Sequence, residues 1–123
     1  MTKPKILYVD DEPINLLLFE ANLDRKYEVL KANNGLEGLA VIADHPDIKI
    51  VFSDMKMPNM NGIEFIKEAS KIISECFFYI LTGFEITNEI QHSLDSGLIQ
   101  KYYGKPTNMK DILNEIEAVL NHY

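Results

Sequence analysis

The sequence predicts a doubly wound α/β domain, in which five strand and helix units form a parallel sheet covered by helices on both faces. Short apolar runs alternate with segments of helical periodicity along all 123 residues. That alternation is typical of right-handed crossovers between parallel strands. No linker or low-complexity segment interrupts it. The length suits one domain with a substantial core, so we expect residues 1–123 to form a single domain.

The first two units are marked by an acidic turn and by an amphipathic pattern. Residues 5–9 form an apolar run that ends in the three acids at 10–12. The proline that follows suits the first turn of a helix, and the acids favour its positive end, which predicts a helix over residues 13–23. Residues 27–32 alternate between apolar and polar, which predicts a more exposed strand. Apolar side chains recur at helical spacing over residues 36–43 and predict the second helix.

The third unit begins with residues 48–52, which are β-branched and mostly apolar. This composition predicts a strand covered on both faces, with Asp54 at its end. Pro58, Asn59 and the pair Asn61 and Gly62 then predict a tight turn before the next helix. The further elements are a helix over 63–73, a strand over 77–81, a helix whose stripe is Ile86, Ile90 and Leu94 and which ends before Gly97, a short strand within 98–103, and a helix over 109–120 that runs almost to Tyr123.

The composition excludes several classes of function. The net charge of −7 argues against direct binding of DNA or RNA, because contact with a phosphate backbone needs clustered Lys and Arg. The single cysteine, Cys76, excludes an internal disulfide and a cysteine-based metal motif. The longest apolar stretches fall well short of the ~20 residues that span a bilayer, and residues 1–5 are not a signal peptide. We therefore expect no membrane association and a cytoplasmic location.

Polar side chains end four of the predicted strands. Asp10 and Asp11 follow the first strand, Asp54 the third, Thr82 the fourth and Lys105 the fifth. Because the carboxyl ends of parallel strands meet at one edge, we expect these side chains to converge. Three neighbouring carboxylates repel one another unless a cation lies among them, and Mg²⁺ prefers such oxygens. A carboxylate nucleophile, a metal, an ammonium and a hydroxyl are the groups needed for phosphoryl transfer to an aspartate.

With these residues the chain resembles the receiver domain of two-component response regulators over nearly its whole length. The matching segments are 9–12 (VDDE), 54–58 (DMKMP), 61–62 (NG), 81–83 (LTG) and 105–106 (KP), and their order and spacing together are highly specific. The resemblance implies a flavodoxin-like sheet with strand order 2-1-3-4-5. It also implies a cis peptide bond between Lys105 and Pro106.

The resemblance also implies the chemical roles of the acidic residues. Asp54 would be the phosphoacceptor, and Asp10 and Asp11 the acidic pair that binds Mg²⁺. Asp54 and the backbone carbonyl of Lys56 would complete the protein ligands of the metal. Lys105 would be the counter-ion of the phosphoryl group.

By the same resemblance, two residues would report the phosphorylated state. Thr82 would be the switch hydroxyl that moves towards the phosphoryl group, and Tyr102 the switch aromatic that turns inward behind it. For Tyr102 the alternative is ordinary packing in the fifth strand. Tyr103 would then be available for an outward, partner-facing role. Gly83 replaces the Ala that is usual after the switch residue, which keeps access to Asp54 open.

The function implied is a signalling receiver of a two-component phosphorelay, which catalyses only its own phosphorylation and dephosphorylation. Its partners would be a sensor histidine kinase or phosphotransfer protein and a downstream output domain or protein, and a homodimer is also considered. An aspartyl-phosphate-type, Mg²⁺-dependent hydrolase is the alternative, but it needs a second acid two residues after the nucleophile, where this chain has Lys56. A flavodoxin-like flavin or nucleotide binder would need glycines, not acids, after the first strand.

Overall fold

The chain folds around one parallel sheet in the order β2-β1-β3-β4-β5. The structure is a computed structural model that describes residues 3–83 and 86–121. The elements are β1 (Lys5–Val9), α1 (Pro13–Leu23), β2 (Glu28–Ala32), α2 (Gly35–Asp44), β3 (Ile50–Asp54), α3 (Gly62–Ile72), β4 (Phe77–Thr82), α4 (Asn88–Asp95), β5 (Lys101–Gly104) and α5 (Met109–Asn121). The predicted fold class and strand order are confirmed. The predicted approach of the last helix to Tyr123 concerns a residue outside the described ranges.

The sheet separates two apolar cores, because successive side chains of a strand point to opposite faces. On β1, Leu7 and Val9 belong to the core beneath α2, α3 and α4. Ile6 and Tyr8 belong to the opposite core, beneath α1 and α5. Every residue of β3 is buried, which confirms that this strand is covered on both faces. The alternation also determines which strand-end side chains share a face.

A row of aromatic rings crosses the sheet on the side of α1 and α5. The ring of Tyr8 stacks on Phe19 with centroids 4.3 Å apart, and Phe19 meets Phe52 at 5.4 Å. Phe52 stacks on Tyr79 at 4.7 Å, and Tyr79 meets Tyr103 at 6.3 Å. The expected outward role of Tyr103 is therefore wrong for this structure, because its ring is partly buried against this core. These successive ring contacts hold the aromatic side chains in place beneath the carboxyl ends of the strands.

The fourth unit differs most from the sequence prediction. The stripe was expected to begin at Ile86, but α4 begins after Thr87, whose hydroxyl accepts a hydrogen bond from the Ile90 amide at 3.2 Å. Threonine is a favoured N-cap residue, so Ile86 stays outside the helix and is 38% exposed. Gly97, with φ of 82°, follows the helix end as predicted. Among the described residues, no helix is long and apolar enough to cross a bilayer.

Candidate functional site

The predicted polar residues lie together at the carboxyl edge of the sheet. Asp10 directly follows β1 and Lys105 directly follows β5, whereas Asp54 and Thr82 are the last residues of β3 and β4. The strand before Asp54 was expected over 48–52, but the pairing with β4 continues to Asp54 itself, opposite Leu81. The peptide bond between Lys105 and Pro106 is cis, as the resemblance implied. Parallel register alone thus brings these strand ends side by side.

One ammonium group is shared between two buried carboxylates. The Lys105 Nζ donates to Asp10 Oδ2 at 2.9 Å and lies 3.2 Å from Asp54 Oδ2. Asp10 is fully buried and Asp54 is 8% exposed, so water compensates little of their charge. Removal of one member of such a buried ion pair leaves an uncompensated charge, which is strongly destabilising. Lys105 is therefore central to the charge balance of the site.

Three carboxylates approach closely enough to share a cation. One oxygen from each of Asp10, Asp11 and Asp54 lies within 4.8 Å of the others. Burial raises the pKa of the Asp54 carboxyl above its ordinary value; Lys105 opposes this rise, and Asp10 and Asp11 add to it. The charged form of Asp54 is thus disfavoured by its surroundings, and a divalent cation among these oxygens would offset that penalty. The donor set fits a hard metal ion.

The charge of Lys105 is maintained in the same surroundings. Burial alone would lower its pKa, but the hydrogen bond to Asp10 and the nearby charge of Asp54 raise the pKa of Lys105 above its ordinary value. The side chain therefore stays an ammonium at neutral pH. A fixed positive charge beside Asp54 is suited to phosphoryl oxygens.

The Asp10 carboxylate has further donors that sequence reasoning missed. Its Oδ2 accepts hydrogen bonds from the Tyr8 hydroxyl at 2.5 Å and from Asn15 Nδ2 at 3.2 Å, and its Oδ1 accepts from the Glu12 amide at 2.9 Å. Burial and the hydrogen bond to Asp10 raise the pKa of the Tyr8 hydroxyl, so it remains a donor. Side chains two residues apart on a strand share a face, and this rule offered a signal for Tyr8.

The loop after Asp54 is fixed by backbone hydrogen bonds. The Met55 amide donates to the Leu81 carbonyl at 3.0 Å, and the Gly62 amide donates to the Met55 carbonyl at 2.8 Å. Asn59 takes a φ of 70°, in the left-handed region that asparagine tolerates better than most residues. The loop therefore returns tightly to the start of α3 and leaves the side of Asp54 open.

The N-terminus of α3 is closed by a capping box that also contacts α4. Asn61 Oδ1 accepts from the Glu64 amide at 2.8 Å, and Glu64 Oε1 accepts from the Asn61 amide at 2.9 Å. The Asn61 side-chain amide donates to Glu89 Oε1 in the first turn of α4 at 3.2 Å. This last contact joins the loop beside the site to α4, and sequence spacing gave no signal for it.

The sequence model of the response regulator receiver domain matches residues 6–117. The chain belongs to that family. It is similar to the sporulation initiation phosphotransferase F of Bacillus subtilis (strain 168), with 33% identity over 122 residues that cover 98% of this chain and 96% of the relative. It is also 33% identical to the uncharacterized transcriptional regulatory protein YesN of the same organism, over 94% of this chain but only 32% of YesN.

Solved structures agree with this assignment. The response regulator receiver domain protein from Methanospirillum hungatei JF-1 has a TM-score of 0.88 and 30% identity, covering 98% of this chain and 96% of that chain. The chemotaxis protein CheY4 of Vibrio cholerae has a TM-score of 0.85 and 27% identity, covering 96% and 99%. The acidic pocket of Asp10, Asp11 and Asp54 fits the phosphoacceptor site of such receivers.

The acidic site of this receiver opens into a surface cavity of about 480 Å³. Asp11, Asp54, Lys56, Gly83 and Lys105 are among the residues that line it. A methyl group in place of the Gly83 hydrogen would lie 3.9 Å from Lys105 Cβ, which is ordinary contact. Gly83 thus leaves more room at the cavity than an alanine would.

The two predicted switch residues of the receiver differ in exposure. Thr82 is buried, with 2% of its surface exposed, whereas Tyr102 is 37% exposed on the edge strand β5. Tyr102 is opposite Ile80 in the register of β4 and β5. The Tyr102 side chain is therefore partly exposed in this structure, and its role as a switch stays a prediction.

Proposed function

We propose that the chain is a phosphoacceptor receiver, in which Asp54 takes a phosphoryl group from the phosphohistidine of a sensor histidine kinase or phosphotransfer protein. The carrying observation is the Lys105 ammonium, 2.9 Å from Asp10 and 3.2 Å from Asp54 at the base of an open cavity. An Asp54 oxygen attacks the phosphorus, the phosphorus–nitrogen bond breaks, and the imidazole leaves with the electron pair. Water later hydrolyses the acyl phosphate.

The proposal assigns a magnesium ion to the three carboxylates. Asp10, Asp11 and Asp54 would bind it, together with the backbone carbonyl of Lys56. When bound, the ion supplies positive charge to the oxygens of the transferring phosphoryl group. The spacing of these carboxylates within 4.8 Å supports this assignment, as does the raised pKa of Asp54.

The other site residues are assigned to charge compensation and to the switch. Lys105 would bind a phosphoryl oxygen, and Thr82 would donate its hydroxyl to another. Tyr102 would turn inward when Thr82 moves, so that its exposed position here corresponds to the unphosphorylated state. The phosphoryl group then acts only through its preference for one of two conformations.

The surface beside the site supports docking of a protein phosphodonor. Ile14, Leu17 and Leu18 on α1 are 59%, 56% and 56% exposed. They lie on neighbouring positions of one helical face, directly after Asp10 and Asp11 in the chain. Exposed apolar side chains grouped in this way indicate an interaction surface. We assign that surface to the protein that carries the phosphohistidine.

The proposal extends to the chain as a whole. Residues 1–123 would form one receiver domain in the cytoplasm that catalyses only its own phosphorylation and dephosphorylation. Its altered surface would be recognised by an output domain, a protein partner or a second copy of the chain. The exposed Lys56, where a hydrolase of the aspartyl-phosphate type needs an acid, supports a switch over a multiple-turnover enzyme.

The test is chemical labelling with a small phosphodonor. The protein is incubated with acetyl phosphate and Mg²⁺ and analysed by intact mass, and in parallel with beryllofluoride and Mg²⁺ by fluorine NMR. We expect one adduct per chain in the wild type and none in Asp54→Asn. Asp47→Asn is the matched control, because Asp47 is a surface aspartate paired with Lys5. An unlabelled wild type, or labelling that survives Asp54→Asn, contradicts the proposal.

A further inference from the structure

Tyr8 lies beneath the site, with its hydroxyl hydrogen-bonded to one of the three carboxylates. Its hydroxyl donates to Asp10 Oδ2 at 2.5 Å, and its side chain is 3% exposed. The ring is held by Phe19, which stacks on it at 4.3 Å. The hydroxyl therefore has a fixed position, and it is directed at the same oxygen that accepts from Lys105.

Three side-chain donors converge on that single oxygen. Besides Tyr8, Asp10 Oδ2 accepts from Lys105 Nζ at 2.9 Å and from Asn15 Nδ2 at 3.2 Å. A buried carboxylate without donors is unfavourable, so each donor that leaves raises the free energy of the site. With Tyr8 and Asn15 in place, Asp10 stays compensated when Lys105 turns away.

The Lys105 ammonium compensates the Asp10 carboxylate and is also required to bind the phosphoryl group on Asp54. In this structure its closer carboxylate is Asp10, at 2.9 Å against 3.2 Å for Asp54. A phosphoryl group on Asp54 would compete with Asp10 for the same ammonium. The stronger the other donors on Asp10, the smaller the loss when Lys105 moves to the phosphoryl oxygens.

We propose that Tyr8 is a positioning residue for phosphorylation, whose hydroxyl holds and compensates the Asp10 carboxylate and so releases Lys105 to bind the phosphoryl group on Asp54. Tyr8 touches neither the phosphoryl group nor Asp54 in this role and acts through Asp10. The inference rests on the proposed function, and it assigns to one phenol hydroxyl a contribution to the rate of that reaction.

A purely structural role for Tyr8 makes a different prediction. If the hydroxyl only stabilised the fold around the site, its removal would weaken cation binding and phosphorylation together. In the positioning role, removal of the hydroxyl leaves the charge of Asp10 less compensated, so Asp10 holds Lys105 more tightly. Cation binding then stays the same or strengthens, while phosphorylation slows.

The decisive variant is Tyr8→Phe, which removes the hydroxyl and keeps the ring. Mg²⁺ affinity is measured by the rise in melting temperature during a titration without phosphodonor. The rate of labelling by acetyl phosphate is measured at saturating Mg²⁺ by intact mass. We expect Mg²⁺ affinity equal to or tighter than wild type, and a labelling rate lower by about tenfold, the effect of one charge-assisted hydrogen bond.

Tyr79→Phe is the matched control. Tyr79 is also a buried tyrosine of the same sheet, and its hydroxyl donates to a carboxylate, Glu115 Oε2, at 2.7 Å. The Tyr79→Phe variant therefore loses an equivalent hydrogen bond at a position away from the site. We expect its Mg²⁺ affinity and labelling rate to remain within about twofold of wild type.

Asn15→Ala tests the same oxygen without any change in the sheet. It removes the weaker donor, at 3.2 Å, from the helix surface. We expect Mg²⁺ affinity equal to or tighter than wild type, as for Tyr8→Phe, and a labelling rate that decreases by less than it does in Tyr8→Phe. This variant decides the question if Tyr8→Phe does not fold.

The outcomes separate this inference from the proposed function. If the wild type is not labelled, the proposed function fails. If the wild type is labelled and Tyr8→Phe is labelled at the same rate, the role of Tyr8 is refuted while the proposed function stands. A parallel loss of Mg²⁺ affinity and labelling rate in Tyr8→Phe also overturns the positioning role.

Discussion

The backbone of Asp54 lies so close to Gly62 that any side chain at position 62 would displace it. Gly62, the first residue of α3, donates its amide to the Met55 carbonyl at 2.8 Å. A β-carbon at position 62 would overlap the backbone oxygen of Asp54 and lie 2.8 Å from Ile80 Cδ1. The glycine is therefore required by a close approach of two backbone segments.

Gly62→Ala should destabilise the protein and displace Asp54. Because the new methyl group meets backbone as well as a buried side chain, we expect the free energy of unfolding to fall by about 1 to 3 kcal/mol. Urea denaturation measures it. Gly104→Ala is the control, since no atom lies within 4 Å of a β-carbon there. Equal stability of the Gly62→Ala variant and the wild type would show that this close approach is wrong.

At the scale of single residues, the sequence predicted the location of the site and missed its internal contacts. Asp10, Asp54 and Lys105 could be found because the ends of parallel strands meet whatever their side chains do. The hydrogen bond from Tyr8 to Asp10 depends on a rotamer, and the one from Asn61 to Glu89 depends on the placement of α4. Spacing along the strand places Tyr8 on the same face as Asp10 but does not determine the hydrogen bond. For the contact between Asn61 and Glu89, spacing along the chain gives no signal.

At the scale of elements, a polar network attaches α5 to the sheet. Glu115 on α5 accepts hydrogen bonds from the Tyr79 hydroxyl and from Lys101 Nζ, each at 2.7 Å. Burial alone would raise the pKa of the Glu115 carboxyl, but the bonds from Lys101 and Tyr79 lower the pKa below its ordinary value of 4.5. The ionised carboxylate therefore joins α5 to both β4 and β5.

This network should give the stability a defined dependence on pH. A carboxyl whose pKa is lower in the folded state stabilises the protein above its unfolded pKa, and the contribution disappears as pH falls through the folded value. We expect Glu115→Gln to cost about 1 kcal/mol at neutral pH, with the difference from wild type decreasing below about pH 4.5. Urea denaturation over that range measures it.

Glu117→Gln is the control for that experiment. Glu117 lies on the same helix, but its carboxylate is 4.0 Å from Lys26 and its side chain is 60% exposed. Such surface pairs contribute little, so its stability should follow the wild type at every pH. A constant difference between Glu115→Gln and wild type across the acid range would contradict the assignment to ionised Glu115.

Most element boundaries followed from periodicity, and the exceptions have local causes. The helix over 13–23 was predicted to the residue, because Pro13 fixes its start. A short fifth strand was expected within 98–103, and the strand found is Lys101–Gly104, whereas Ile99 is buried outside the sheet. The apolar character of Ile99 agrees with its burial, but apolar character alone does not distinguish strand from turn.

At the scale of the whole molecule, the repulsion among acidic side chains is greatest at one edge of the sheet, where three carboxylates lie together. The net charge is −7, and three of the acids lie together, two of which, Asp10 and Asp54, share Lys105 as a partner. Mg²⁺ that binds only the folded state stabilises it by about 2.7 kcal/mol at roughly 100 times the dissociation constant. We therefore expect Mg²⁺ to raise the melting temperature by several degrees, as measured by calorimetry.

Asp11→Asn tests the origin of that stabilisation. The variant removes one carboxylate from the cluster, so the repulsion decreases and the response to Mg²⁺ should largely disappear. KCl at matched ionic strength controls for general screening. An Asp11→Asn protein that responds to Mg²⁺ as the wild type does would count against the three-carboxylate site.

The row of aromatic rings across the sheet also has an optical consequence. The chain contains no tryptophan, so its ultraviolet emission comes from tyrosine. Tyr8 is hydrogen-bonded to Asp10 and connected through Phe19 and Phe52 to Tyr79, with adjacent ring centroids 4.3 to 5.4 Å apart. The hydrogen bond from Tyr8 to Asp10 therefore places one of the six tyrosine fluorophores of the chain in direct contact with the acidic pocket.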